Sequence, residues 1–197
     1  MTSLDSIPAP AFGCVNNTIR LRSGRYLDLA DPRPADFTFA DIAGALSKVC
    51  RFGGQVPTFY SVAEHLVHCG RLALADGLPG DAVRAALMHD ATEAFVGDVV
   101  KPLKVMLPEY GRIEAAVERA VGLKFGIDFG AHAAAVRKID REMLIAERRA
   151  LFSADDVKWA GEDLVRVLNV SFDCWSPEAA ERRFANLAAS AGLNTWE

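Results

Sequence analysis

The sequence predicts an all-α fold, a compact helical bundle preceded by a short β-hairpin-like element, and three observations carry that expectation. Apolar residues recur at spacings of three and four from about residue 38 onward. Ser or Thr residues precede several of these recurrences and Gly residues follow them, as helix starts and stops require. Extended patterning is confined to "TIRLRSGRYLDL" at 18–29, where two short runs flank Ser23-Gly24 and read as a hairpin ahead of the link "DPRP".

Each helix has its own signal. Ile42, Ala45, Leu46, Val49 and Cys50 share one helical face after a Thr38 cap, and Gly53-Gly54 would stop that helix just past Arg51, placing Arg51 at a helix end. Ser61 and Glu64 form an S-x-x-E capping box for the next helix, and Gly77 would end it. A third helix is expected from about Asp81 to Phe95, broken by the 97–102 stretch. Ile113, Val117 and Val121 mark an amphipathic helix closing at Gly126. A further helix from about Ala131 to Phe152 carries Val136, Ile139 and Met143 on one stripe, and Ser176-Pro177 opens the last.

At 197 residues the chain suits one domain. It is read as an N-terminal extended segment (1–37), a helical core (38–152) and C-terminal helices (153–197). Hydrophobic residues make up 51% and charged residues 24%, the balance of a globular protein and not of a disordered one. No apolar run approaches the roughly 20 residues of a membrane helix, and the start "MTSLDSIPAPAFG" lacks the basic-then-apolar order of a secretory signal. A cytoplasmic location with no membrane partner is the expectation. Cysteines 14, 50, 69 and 174 include no CxxC pair, which argues for reduced packing thiols over a thiolate zinc site or a disulfide framework. The net charge of −4 offers no general attraction for a nucleic acid polymer, so an anionic substrate needs a local basic cluster.

The chemistry concentrates in "MHDATEAFVGD" at 88–98, which sets His89, Asp90, Glu93 and Asp98 among apolar residues. On a continuous helix Glu93 lies four residues after His89 and three after Asp90, so the three would converge on one flank. His65 and His68 share a face of the preceding helix by the same spacing. Taken singly, each has a plain structural reading: His68 packs, His132 sits at the surface, Glu64 caps, and Asp98 serves the turn after Gly97. The His89-Asp90 pair resists such a reading. It follows "AVRAALM", where a carboxylate needs a cationic partner, and a divalent metal would be one.

The ordered set His65, His89-Asp90 and Asp140, flanked by "YSVAEH", "HDATEAFVGDVVKPLK" and "RKIDREM", resembles the H…HD…D pattern of the HD-domain metal-dependent phosphohydrolases. Within them it is most similar to the branch of bacterial 5'-deoxynucleotidases and phage deoxynucleotide triphosphohydrolases, over about residues 40 to 150. The resemblance implies His65, His89, Asp90 and Asp140 as ligands of one divalent ion (Co, Mn, Zn, Ni, Fe or Mg). It implies Asp98 as a water-orienting group and Glu93 as a proton-handling or substrate-positioning partner. Arg51 and Lys104 match its phosphate contacts, whereas Lys101 reads as solvated. Phe52 stands where the better-known deoxynucleotidases have Trp, which puts base or sugar preference in question. The implied activity is conversion of a deoxynucleoside 5'-monophosphate to deoxynucleoside and phosphate. The alternatives are release of triphosphate from a dNTP, with Lys101, Lys104 and Arg112 as the cations offered to its tail, and a non-catalytic nucleotide-sensing module. The expected partner is a small deoxynucleotide, with self-association into a dimer or larger oligomer.

Overall fold

In the computed structural model, which describes residues 17–195, the chain turns at Ser23-Gly24 and pairs Thr18–Arg20 (β1) antiparallel with Tyr26–Asp28 (β2), Ile19 opposite Leu27. Gly24 takes φ +85°, a left-handed conformation that is easy only without a Cβ. So short a hairpin cannot stand alone. It is anchored by Leu27, which is fully buried, and by Asp41, whose Oδ1 accepts the Ser23 amide at 2.8 Å. Cys14 and the proline-bearing start of the chain lie outside the described residues.

The rest is mostly helical: Phe39–Leu46 (α1), Val62–Ala75 (α2), Gly80–Met88 (α3), Glu93–Val96 (α4), Lys101–Met106 (α5), Pro108–Phe125 (α6), Phe129–Leu151 (α7) and Pro177–Ser190 (α8). The expected caps are in place. Thr38 accepts from the Asp41 amide while Asp41 accepts from the Thr38 amide, and Ser176 accepts from the Ala179 amide. Gly126 closes α6 in the left-handed conformation, and Val136, Ile139 and Met143 of α7 are buried as their spacing implies. No helix of the described residues is long and apolar enough to cross a membrane.

Helix α2 is the axis. It is buried on nearly every side, as a helix with so few exposed polar positions must be, and packs against α1, α3, α7 and α8. At Gly70 a Cβ would lie 3.0 Å from Leu87 and 3.1 Å from Leu187, so the missing side chain is what lets α3 and α8 approach this closely. Phe39 of α1 stacks on Phe184 of α8 at 5.5 Å between ring centroids, which joins the two ends of the chain through one core.

Four sequence expectations need correction. Helix α1 ends at Leu46, not past Arg51, because the backbone at 49–51 turns away to bond with 60–62: Val62 N donates to Val49 O and Arg51 N to Tyr60 O. Arg51 therefore begins a separate 3-10 turn, Arg51–Gly54. The third helix is not continuous to Phe95. It stops at Met88, and the amides of Ala91 and Glu93 bond three residues back, tightening the chain into turns before α4. Glu64 completes only half of its box, since Ser61 accepts the Glu64 amide but the Glu64 carboxylate turns to the amides of Cys174 and Trp175, at 3.0 and 2.6 Å. Residues 153–176 are irregular apart from the turn Glu162–Leu164, so the C-terminal region holds one helix, α8, and a long strap before it.

Glu64 is thus the pin between α2 and the approach to α8. Glu64→Ala strands two amides in a buried site, and the unfolding free energy is expected to fall by about 2–4 kcal/mol. Urea unfolding followed by tryptophan fluorescence checks this; an unchanged midpoint and slope contradict it.

Candidate functional site

Three separate elements bring four donor atoms together. His65 comes from α2, His89 and Asp90 from the turn after α3, and Asp140 from the middle of α7. His65 Nε2 lies 3.5 Å from His89 Nε2, 3.4 Å from Asp140 Oδ1 and 3.7 Å from Asp90 Oδ2. His89 Nε2 lies 3.3 Å from Asp90 Oδ2 and 3.7 Å from Asp140 Oδ1. Donors that each sit about 2.0–2.2 Å from one cation stand roughly 3–3.5 Å from each other, so the set has close to the spacing that a single ion imposes.

Both imidazoles are oriented from behind. His65 Nδ1 donates to Glu147 Oε1 at 2.6 Å, and His89 Nδ1 donates to the Ala86 carbonyl at 2.9 Å. Each Nδ1 faces an acceptor, so each Nε2 is left to face the cluster, the arrangement by which outer partners fix metal-ligating histidines. Burial opposes charge on His89, yet Asp90 and Asp140 outweigh it and raise its pKa well above the ordinary value. For His65, burial and Arg51 oppose protonation and the surrounding anions prevail. Burial would raise Asp90 and Asp140, but the facing histidines hold both well below the usual carboxylate range. Two ionised carboxylates thus face two imidazoles, and a divalent cation bound there would take the place of the imidazole protons.

Cys69 belongs to a second donor grouping with His65 and His89. Its Sγ lies 3.4 Å from His65 Nε2 and 3.8 Å from Nδ1. Being at similar distance from both ring nitrogens, the sulfur rests on the imidazole face and not along the Nε2 lone pair. The two-histidine, two-aspartate set is the other donor grouping; Cys69 is a buried free thiol, whereas the free Cys174 is half-buried and Cys50 is exposed.

Arg51 ties the cluster to its surroundings. Its guanidinium donates to Glu147 and to Asp90 at 3.2 and 3.4 Å and approaches Asp140 at 4.0 Å. Burial opposes its charge, but Glu147, Asp90 and Asp140 keep it firmly protonated. Glu147, fully buried, also accepts the Tyr60 hydroxyl at 2.7 Å.

Arg51, Lys101, Lys104, Asp90, Asp98 and Asp140 form the charged part of the lining of a cavity of about 840 Å³, within the usual range for small-molecule sites. Phe52 also lines it, in a left-handed conformation (φ 57°) that is uncommon without glycine; its amide donates to Asp98 Oδ2 at 3.0 Å. Burial and Asp90 raise the Asp98 pKa against the pull of Arg51. Glu93 is buried beside the cavity and does not line it. Its Oε2 has no hydrogen-bond partner among the described residues, and burial, with Asp90 and Asp98 nearby, pushes its pKa up to about 9. Lys104 lines the cavity but is engaged by Glu114 at 2.7 Å and Glu93 at 3.6 Å and lies against the Tyr110 ring. Lys101, exposed, lines the rim.

His68 does not join its helix neighbour His65. It stacks on Trp175 at 5.4 Å and meets Phe172 at 5.0 Å, away from the cluster. His132, at the start of α7, is also remote from it in sequence and takes no part in the contacts above. Sequence reasoning missed Glu147, although a signal existed: Asp140, Leu144 and Glu147 follow 4-3 spacing on one face of α7. It also missed Tyr60, Phe152 and Trp159, for which local spacing carried none.

No family model matches the chain. The chain is 38% identical over 141 residues to the uncharacterized protein YfdR of Escherichia coli strain K12, a match spanning 72% of this chain and 76% of that protein. It is 41% identical over 114 residues to an uncharacterized protein of Rhodobacter capsulatus, spanning 55% and 58%. A probable transcriptional regulatory protein of Cupriavidus metallidurans is 37% identical over 89 residues, 42% of this chain and 34% of its own.

In the unfolded chain Glu93 ionises near 4.5, whereas in the folded site it keeps its proton to about 9. The folded state holds the extra proton throughout that window, so this contribution to stability is full below pH 4.5 and is lost as pH rises towards 9. Gln cannot ionise. In metal-free buffer, the melting temperature of Glu93→Gln relative to the unaltered protein is expected to climb between pH 5 and pH 9 by at least about 3 °C. A difference that stays flat across those pH values contradicts the assignment.

Proposed function

The chain belongs to the family of the Escherichia coli protein YfdR, and for this member we propose a metal-dependent phosphohydrolase of the HD-domain type that converts deoxynucleoside 5'-monophosphates to deoxynucleosides and phosphate. The observation that carries the reading is the spacing of His65 Nε2, His89 Nε2, Asp90 Oδ2 and Asp140 Oδ1, all 3.3–3.7 Å apart in the pairs described, beside a cavity that also holds Arg51.

Two imidazoles and two carboxylates suit a borderline or hard divalent ion and leave coordination positions over. A bound cation supplies the charge that makes water nucleophilic at neutral pH and offsets charge on the phosphoryl oxygens. The chain's own groups do the remainder. Arg51 stands at the cluster with its guanidinium held in one orientation by Glu147, ready to receive phosphate oxygens. Asp98, at the cavity wall, orients the attacking water and takes its proton; the raised pKa makes it a stronger base than an ordinary aspartate. Glu93, protonated at neutral pH, holds a proton at the unpaired Oε2 behind it.

Triphosphate release is the alternative: the exposed Lys101 lines the cavity, as does Lys104, although Glu114 and Glu93 engage the ammonium group of Lys104. Product analysis separates the two reactions, one yielding inorganic phosphate and the other tripolyphosphate.

With Mn, Co or another divalent ion present, release of inorganic phosphate from deoxynucleoside monophosphates is expected, lost in excess chelator and reduced at least about 10³-fold in Asp90→Ala. Undiminished turnover by Asp90→Ala contradicts the proposal. Glu147→Gln weakens the hold on His65, and calorimetric titration with the ion is expected to show affinity lower by roughly 10–100-fold. Unaltered affinity would remove Glu147 from the account.

A further inference from the structure

The cavity has a second wall that the phosphohydrolase reading leaves without a role. Phe52, Phe152 and Trp159 line it together. Their ring centroids are 5.1 Å (Phe52 to Phe152), 5.8 Å (Phe152 to Trp159) and 6.3 Å (Phe52 to Trp159) apart, with steep interplanar angles of 88°, 65° and 61°. The group begins next to Arg51, whose guanidinium carbon is 5.2 Å from the Phe52 ring centre. Resting on the proposed reaction, we infer that Phe152 and Trp159, with Phe52, form the seat of the nucleobase, so that the substrate class is a nucleotide with its base attached and not a bare sugar phosphate.

Three observations support the assignment. First, the lining combines charged groups, among them Arg51, Asp90 and Asp140, with three aromatic rings, the two chemistries that the phosphate and base of a nucleotide require, and a phosphate alone would occupy little of about 840 Å³. Second, half-buried aromatic rings on a cavity wall keep apolar surface in contact with water that a planar ligand would cover. Third, Trp159 sits in the irregular strap 153–165, which is fastened in place. Arg148 pairs with Glu162 and Asp155 at 2.8 Å each and lies over the Trp159 ring at 5.3 Å; Arg149 pairs with Glu162 at 3.2 Å, and the Trp159 amide donates to the same carboxylate. A strap so tied presents its indole without the ordering penalty a free loop would carry on binding. Stacking accepts any base, because every base has a π-face, so the four bases should differ little from one another.

The test compares substrates with and without a base. Steady-state kinetics on the four deoxynucleoside monophosphates and on 2-deoxyribose 5-phosphate are measured for the unaltered protein, Trp159→Ala, Trp159→Phe and Phe152→Ala, with melting temperatures as the folding control. The unaltered protein is expected to favour nucleotides in kcat/KM by roughly tenfold or more. In Trp159→Ala that ratio collapses, mainly through a higher KM for nucleotides, and Trp159→Phe restores most of it. Equal loss on both substrates, or no preference in the unaltered protein, overturns the inference while leaving the phosphohydrolase reading intact. If no substrate releases phosphate, that reading fails by itself, and calorimetric titration with deoxynucleosides decides the wall. Binding by the unaltered protein that Trp159→Ala loses supports it; no binding, or binding the variant retains, overturns it.

Discussion

A cluster of opposite charges, buried at Arg51, His65 and Glu147 and open to the cavity at Asp90 and Asp140, is the constraint around which this bundle is organised. Asp90, Asp140 and Glu147 surround one guanidinium, that of Arg51, with His65 and His89 between them. Breaking such a network by removing one member leaves an uncompensated charge in low dielectric, which is far more destabilising than an equal change at the surface. Each contributor must therefore be delivered to within a few tenths of an ångström, and four parts of the chain share the task. Helix α2, buried over most of its length, carries His65 through the centre. After Met88 the chain tightens into turns bonded three residues back, and His89 and Asp90 both reach the cluster from there. Helix α7 presents Asp140 and, two turns later, Glu147.

The supporting contacts form a graded surround. Glu147 fixes His65, Arg51 and Tyr60 at once, so a single fully buried carboxylate sets the orientation of a ligand, of the cationic group and of the aromatic behind them. Phe52 is held in its left-handed conformation by the Asp98 carboxylate, which couples the wall of the cavity to the group argued to handle water. Remote from the site, Glu64 and the stack of Phe39 on Phe184 secure α8 against α2 and α1, and so close the bundle behind the cluster.

How much of this the sequence carried depends on the range of the interaction. Thr38, Ser176 and Gly126 act within one turn of themselves, and the helix ends they mark could be read to within a residue or two. The apolar stripes of α6 and α7 were equally legible, because helical periodicity records which face is buried. The break after Met88 was not, since Ala, Leu and Met favour helix locally and no Gly or Pro marks the change to bonds three residues back. Likewise Ser61-x-x-Glu64 satisfied a local rule, while the carboxylate found better partners in amides 110 residues away. The grouping of His65, His89, Asp90 and Asp140 was anticipated by likeness to a known pattern and is reproduced in the folded chain; Trp159, set in an irregular strap, left no periodic trace.

The central claim is that one cation is gripped by two imidazoles and two carboxylates drawn from three elements. X-ray absorption spectroscopy of the Co(II)-loaded protein tests it most directly. The account predicts one ion per chain, with a first shell of N and O atoms at about 2.0–2.2 Å, the outer-shell scattering of two histidines, and no sulfur. A sulfur scatterer near 2.3 Å would transfer the site to Cys69, and failure to retain the ion at all would contradict the account altogether.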